Sequence, residues 1–158
     1  MATNESEFKT EFRKALFQSY GASAEIWTSN DMYRSGLPDF NATWGGRYFS
    51  IEAKFVKKPP ARDVSLVLKH ELSALQYQHL KRMHETGSLG VVLVGFPDVA
   101  VAIPIQSLIP ENPSASIVTN IQLHYLKKLN ESGFGFVKLR GKWQVDGFFE
   151  KLVEIQKS

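Results

Sequence analysis

Several classes of protein are excluded by what the sequence lacks. It contains no cysteine, which rules out a disulfide framework, a thiolate zinc site and a cysteine nucleophile. It contains no apolar run of about 18 residues, the length needed to cross a bilayer, so we expect no membrane partner. The first residues, Met-Ala-Thr-Asn-Glu-Ser-Glu, have neither the basic nor the apolar part of a secretory signal. These absences predict an intracellular, cytoplasmic protein.

The composition is that of an ordinary globular protein. The 158 residues are 43% hydrophobic and 22% charged, which predicts a single domain over residues 1–158 with one sizeable core. Nineteen Lys and Arg against sixteen Asp and Glu leave a net charge of +3. Such a small excess permits binding to a polyanion such as DNA, but a protein with a neutral substrate could carry the same balance.

Hydrophobic periodicity and turn residues divide the chain into alternating helices and strands. Helices are predicted over 5–20, 73–86, 120–130 and 147–156. Strands are predicted over 25–28, 37–44, 48–56, 89–96 and 99–105, with a hairpin over 134–145. This order predicts an α/β (α+β) fold, a central mixed β-sheet flanked by helices. The core would span about 5–105, followed by a helical and hairpin extension over 110–158.

The most informative stretch contains two carboxylates and a lysine. Glu52 and Lys54 lie within an apolar strand and share one of its faces, where an unpaired charge is costly. Asp39 precedes Glu52 by thirteen residues, and a Gly45-Gly46 hairpin can fold it back beside Glu52. Two neighbouring carboxylates repel unless a proton or a cation intervenes. A hard cation, Mg²⁺ or alternatively Mn²⁺, would resolve this with oxygen ligands alone.

Next to such a cation, Lys54 could hold or polarise an attacking water, and its charge would stabilise a developing anion. This chemistry suits hydrolysis of a phosphodiester bond. The alternative interpretation is a structural ion pair on a strand edge, beside an unrelated aspartate in a turn.

The combined pattern resembles the PD-(D/E)XK nuclease superfamily across about residues 5–105. The resemblance is carried by Pro38-Asp39, Glu52-Ala53-Lys54, an upstream helix with glutamate, and downstream Gln76. It implies a restriction-endonuclease-like core. It also implies that Asp39 and Glu52 bind the metal, that the backbone of Ala53 assists, and that Lys54 serves the attacking water.

Two branches of the superfamily share further features with this chain. Gly45-Gly46-Arg47-Tyr48, and Gln76-Tyr-Gln-His-Leu80 leading into the next strand, resemble RecU-type Holliday junction resolvases. The Ser35-Gly-Leu-Pro-Asp39 opening resembles phage and VRR-NUC-type nucleases. These likenesses are compatible with a gene carried by a phage or a mobile element.

The superfamily often adds a metal-facing glutamate on the first helix, where Glu7 and Glu11 compete. At 100° per residue, Glu11 lies about 60° from Phe8 and Glu7 about 100°, so Glu11 borders the apolar stripe more closely and is preferred. Gln76 fits a capping box with Ser73, and in the family it contacts the water, the lysine or the phosphate. Both roles are open to it through different atoms.

Cationic and polar residues flank the predicted site on both sides. Arg34 and Ser35 precede Asp39 and could grip the substrate backbone, although an ordinary polar turn explains them equally. Lys57, Lys58 and Arg62 follow the strand of Lys54, where they could bind phosphates independently of base sequence.

These features predict a Mg²⁺-dependent endonuclease that cuts DNA, with a preference for branched structures such as Holliday junctions. A single small domain offers one site, so paired cuts on two strands would require a homodimer. One alternative is a sequence-specific nuclease of the restriction or homing type, with bases read by residues 110–158. Another is a non-catalytic module that keeps the fold and binds nucleic acid.

Overall fold

The computed structural model describes residues 4–29, 37–58, 65–67, 72–109, 120–122 and 127–157. The helices are α1 (Glu5–Tyr20), α2 (Ala74–Glu85) and α3 (Phe148–Lys157). The strands are β1 (Ala24–Thr28), β2 (Phe40–Trp44), β3 (Arg47–Phe55), β4 (Ser65–Val67), β5 (Leu89–Gly95), β6 (Val99–Pro104), β7 (Asn120–Gln122), β8 (Gly135–Leu139) and β9 (Lys142–Trp143). Short 3₁₀ turns cover Gly21–Ser23 and Ile105–Leu108. None of the helices in these ranges has the length and apolar character needed to span a membrane.

A seven-stranded mixed sheet organises the fold, in the order β1-β2-β3-β5-β6-β8-β9. Strands β3 and β5 are parallel, with α2 in the connection between them, and the other neighbours in this sheet are antiparallel. A second, two-stranded sheet pairs β4 with β7. The predicted central mixed sheet with flanking helices is therefore confirmed.

Successive side chains of β3 point to opposite faces of the sheet, so the apolar core and the candidate site lie on different faces. Ile51 and Ala53 are fully buried in the hydrophobic cluster that contains the apolar residues of α1 and α3. Glu52 and Lys54 face the opposite side of the sheet, because side chains alternate along a strand. On that side, α2 packs over β5 and contributes Leu80 to a second cluster. The charged pair is thus held between well-packed elements.

The β2–β3 hairpin sets the register of the candidate site. Gly45 and Gly46 have φ angles of +59° and +76°, as a type I′ turn requires at both central positions. The turn pairs Trp44 with Arg47 and, at the far end of β2, Phe40 with Ile51. One step beyond this pair, Asp39 stands opposite Glu52.

The C-terminal part of the chain belongs to the same core. Trp143, Phe148 and Phe149 are buried in the cluster that contains Phe8 and Phe12 of α1. β8 extends the main sheet by pairing with β6, and the predicted hairpin around Gly141 is confirmed. Several side chains of this segment are therefore used for packing in the core: Phe136, Trp143, Val145, Phe148, Phe149 and Leu152.

The helix predicted over 120–130 is wrong at its start. Residues 120–122 form β7 and pair antiparallel with β4, Leu66 opposite Ile121. Pairing with a strand more than fifty residues away overrides the local pattern, since strand formation depends on its partner as much as on propensity. The region between β3 and α2, to which the sequence pattern assigned no helix or strand, contains β4.

A tight contact between α1 and β5 leads to a stability prediction. A Cβ added to Gly95 would lie 2.5 Å from ring atoms of Phe8, which is fully buried. We expect Gly95→Ala to lower the free energy of unfolding by about 1–3 kcal/mol, because overpacking forces side chains or backbone to shift. Urea denaturation measures this value.

The smaller side chain in Phe8→Leu supplies the control for the Gly95 prediction. In that background, Gly95→Ala should cost clearly less than in the wild type, because the two positions are coupled by direct contact. Equal costs in the two backgrounds would contradict the proposed clash.

Candidate active site

Asp39 immediately precedes β2, and its side chain accepts a hydrogen bond from the backbone of the neighbouring strand β3. Its Oδ2 accepts a hydrogen bond of 2.8 Å from the backbone N–H of Ala53. Because β2 begins only at Phe40, the carboxylate takes the place of a main-chain acceptor at this position. The proximity of Asp39 also helps to raise the pKa of Glu52. The structure thus brings together the two carboxylates that the sequence analysis paired.

Glu52 is almost completely buried, with 2% of its surface exposed. Its Oε1 accepts a hydrogen bond of 2.8 Å from Gln76 Nε2 and lies 3.4 Å from Lys54 Nζ. Its Oε2 is buried and has no hydrogen-bond partner among the described residues. Burial, followed by the charge of Asp39, raises the pKa of Glu52 to about 8, although Lys54 acts in the opposite direction.

Gln76 connects the start of α2 to the site. Ser73 Oγ accepts from the N–H of Gln76 at 3.1 Å, and Gln76 Oε1 accepts from the N–H of Ser73 at 3.0 Å, so the predicted capping box is confirmed. The remaining atom, Nε2, donates to Glu52. One glutamine therefore caps the helix and contacts the buried carboxylate through different atoms, as the sequence allowed.

Lys54 is a buried cation with carboxylates on two sides. Its side chain is 7% exposed, and its Nζ lies 3.4 Å from Glu52 Oε1 and 3.9 Å from Glu5 Oε1. Burial of an ammonium group requires such compensation. Packing and charge together fix the lysine beside Glu52.

Helix α1 contributes Glu5 and Lys9 to the charged side chains around Asp39 and Lys54, on the flank opposite to the predicted Glu11. Lys9 Nζ donates to Asp39 Oδ1 at 2.9 Å, and Glu5 approaches Lys54. At 100° per residue, Glu5 and Lys9 lie about 60° and 100° to one side of Phe8, whereas Glu11 lies about 60° to the other side. The sequence pattern shows both flanks of the apolar stripe but does not decide which of them faces the site.

The two glutamates weighed in the sequence have contacts elsewhere. Glu11 Oε2 accepts from Lys138 Nζ at 2.9 Å, and this ammonium also lies 5.6 Å from the ring centroid of Trp143. Glu7 contacts the N-cap residue Asn4. Neither contact connects α1 to Asp39 or Glu52.

The candidate DNA-binding residues are only partly covered by the structure. Arg34, Ser35 and Arg62 lie outside the described residues. Lys57 and Lys58 are exposed and follow directly after the end of β3, three and four residues beyond Lys54. The exposed Lys57 and Lys58 therefore lie near the same end of β3 as the buried Lys54.

The donor groups of the site suit a hard divalent cation. Asp39 and Glu52 offer carboxylate oxygens, and the buried, unpartnered Oε2 of Glu52 is an acceptor that a cation would satisfy. No set of three or more His, Cys, Asp or Glu side chains stands in metal-binding geometry within the described ranges. Two carboxylates are still a usual set for Mg²⁺, because this ion keeps several water ligands.

The raised pKa of Glu52 leads to a prediction about stability in the metal-free protein. A carboxyl whose folded-state pKa, about 8, exceeds its ordinary value of 4.5 binds its proton more tightly in the folded state. Its contribution to stability is present below about pH 4.5 and is lost as the pH rises through about 8. We expect the free energy of unfolding to fall across this window by a few kcal/mol at most, at roughly 1.4 kcal/mol per pKa unit.

Glu52→Gln should remove this fall, because the amide does not titrate. Denaturation curves between pH 5 and 9 in the presence of chelator measure the effect. Glu131→Gln, at an exposed position, is the matched control and should retain the wild-type slope. An unchanged slope in Glu52→Gln would contradict the raised pKa.

Comparison with known proteins identifies a fold. No family model and no curated protein matches the chain. Among solved structures, the chain is similar to Hjc of the archaeal hyperthermophile Archaeoglobus fulgidus, a Holliday junction resolvase, with a TM-score of 0.51 and 21% sequence identity. The match covers 76% of this chain and 92% of that chain. The predicted restriction-endonuclease-like core is thereby confirmed.

Proposed function

We propose that the protein is a divalent-metal-dependent endonuclease that hydrolyses phosphodiester bonds of branched DNA. The observation that carries the proposal is the buried Glu52 carboxylate, which is held beside Asp39 and Lys54 with its pKa raised to about 8. Groups with strongly shifted pKa values and a specific charged neighbour are typical of functional sites. The fold shared with a Holliday junction resolvase supports the same conclusion.

Asp39 and Glu52 would hold the cation, Mg²⁺ or Mn²⁺ in its place, with assistance from the backbone carbonyl of Ala53. When bound, the cation supplies Lewis-acid activation of water and charge stabilisation at the phosphate. On α1, Glu5 would assist at this site in place of Glu11, because Glu5 Oε1 lies 3.9 Å from Lys54 Nζ.

Lys54 and Gln76 would act on the water and the phosphate around this site. Lys54, fixed 3.4 Å from Glu52, would position the attacking water and stabilise the charge that develops on the phosphate. Gln76 keeps Glu52 oriented through Nε2, and the helix N-terminus on which it stands favours negative charge nearby. The reaction requires no covalent enzyme intermediate.

DNA is proposed as the substrate. Lys57 and Lys58 would contact its phosphates, and so would Arg34, Ser35 and Arg62, which lie outside the described residues. DNA as a substrate is consistent with an intracellular, cytoplasmic location. We further propose that a homodimer of single-domain chains makes the paired cuts that a junction requires. The RecU-type and VRR-NUC-type features noted in the sequence are compatible with this proposal.

A sequence-specific nuclease is less well supported than a structure-selective one. Base reading would fall to the C-terminal segment, but β8 and β9 extend the main sheet, and β8, β9 and α3 place residues in the core that contains Phe8 and Phe12 of α1. This leaves fewer residues for a dedicated base-reading element. Comparison of a four-way junction with linear duplexes of varied sequence distinguishes the two activities.

The metal requirement is tested with a labelled four-way junction. We expect cleavage with Mg²⁺ and Mn²⁺, none with chelator, and binding with little or no cleavage with Ca²⁺, because the loose coordination of calcium activates water poorly. Cleavage that persists in chelator would contradict a metal-dependent mechanism.

The role of Lys54 is tested by Lys54→Met, which keeps much of the buried aliphatic stem. We expect loss of cleavage by at least about 100-fold, because one positioned charge or donor at a transition state contributes about this much. Junction affinity, measured by fluorescence anisotropy with Ca²⁺, should stay within a few-fold of wild type. Lys142→Met, at an exposed position of β9, is the control and should leave cleavage unchanged. Wild-type cleavage by Lys54→Met would remove the lysine from the mechanism.

A further inference from the structure

Lys9 occupies the side of Asp39 that faces the site. Its ammonium nitrogen lies 2.9 Å from Asp39 Oδ1, while Oδ2 of the same carboxylate accepts from the N–H of Ala53 at 2.8 Å. Both oxygens of Asp39 are therefore already engaged by the protein. A cation that approaches Asp39 would meet the positive charge of Lys9 at the oxygen that is not committed to the backbone.

We propose that Lys9 acts as an exchangeable placeholder, whose ammonium neutralises Asp39 in the metal-free protein and leaves when a divalent cation binds. This inference rests on the proposed function, since it concerns the same pair of carboxylates. It assigns to Lys9 a role in setting the affinity of the site for the cation.

The two lysines of the site differ in their freedom to move. The Lys54 side chain is 7% exposed and is held between two carboxylates, whereas the Lys9 side chain is 35% exposed. Lysine has a long, flexible stem with many accessible rotamers. Lys9 can therefore swing toward solvent at modest cost, while Lys54 cannot leave without disrupting the packed site.

The charge balance explains why a placeholder is needed. Burial lowers the pKa of Lys9, but its hydrogen bond to Asp39 and the charges of Asp39, Glu5 and Glu52 outweigh this effect and leave the pKa raised. Lys9 is therefore a permanent cation at neutral pH. Without Lys9, Asp39 would lose the cation that lies 2.9 Å from its Oδ1.

Removal of Lys9 should have opposite effects on the empty and the loaded site. The metal-free protein should be less stable, because Asp39 loses its partner. Cation affinity should increase, because the incoming ion no longer displaces an ammonium group and no longer meets its repulsion. A purely structural salt bridge would not produce this second effect, since its loss would loosen the carboxylates and weaken binding.

The experiment measures Ca²⁺ binding by isothermal titration calorimetry in the absence of DNA, so that cleavage plays no part. We expect Lys9→Met to bind Ca²⁺ roughly 5- to 30-fold more tightly than wild type, as removal of one unit charge near the ion predicts. Lys14→Met, at an exposed position on the same helix, is the matched control and should bind within twofold of wild type. Thermal unfolding with and without Ca²⁺ provides an independent readout, and the stabilisation by Ca²⁺ should be larger in Lys9→Met.

A second variant keeps the proposal testable if Lys9→Met does not fold. Lys9→Arg retains the charge and can grip Asp39 with two donors, so it should bind Ca²⁺ more weakly than wild type. Affinity that is unchanged or weaker in Lys9→Met, or unchanged or tighter in Lys9→Arg, would overturn the placeholder role. Absence of Ca²⁺, Mg²⁺ and Mn²⁺ binding to the wild type would instead refute the proposed metal site itself.

Discussion

The structure of the candidate site depends on one electrostatic constraint: a carboxylate is buried in the sheet with a second carboxylate next to it. Glu52 is 2% exposed, and neither burial nor the proximity of Asp39 favours its charged form. Three neighbouring polar side chains compensate for these carboxylates. Lys54 and Gln76 share one oxygen of Glu52, and Lys9 neutralises Asp39. The contacts to these two carboxylates come from three separate stretches of chain: α1, the β2–β3 hairpin and the start of α2.

The features that local chemistry dictates could be predicted from the sequence. Two glycines in succession between β-strand patterns predict a type I′ hairpin, and the thirteen-residue separation then places Asp39 opposite Glu52. Ser73 followed by Gln76 predicts a capping box through the hydrogen-bonding capacity of those two side chains alone. In both cases, the residues that determine the local structure, Gly45-Gly46 and Ser73 with Gln76, lie within three positions of each other.

The features that depend on distant partners could not be predicted in the same way. Whether Glu5 or Glu11 faces the site is decided by the rotation of α1 on the sheet, and both flank the apolar stripe at similar angles. Lys9 became visible as a site residue only through its contact with Asp39, thirty positions away. Residues 120–122 form a strand because β4 is available to pair with them. Each of these outcomes is set by tertiary packing and is absent from the local sequence pattern.

The same constraint separates the two interpretations that the sequence left open for Glu52 and Lys54. In a structural ion pair, the ammonium would stabilise the carboxylate and lower its pKa, and the carboxylate oxygens would find partners. Here, Lys54 does lower the pKa of Glu52, but burial and Asp39 outweigh it. In addition, Oε2 is left without a hydrogen bond among the described residues. An arrangement that is incomplete in charge and in hydrogen bonding, yet tightly packed, is better explained by a ligand that completes it. A divalent cation, as proposed above, would supply positive charge at the unpartnered oxygen of Glu52.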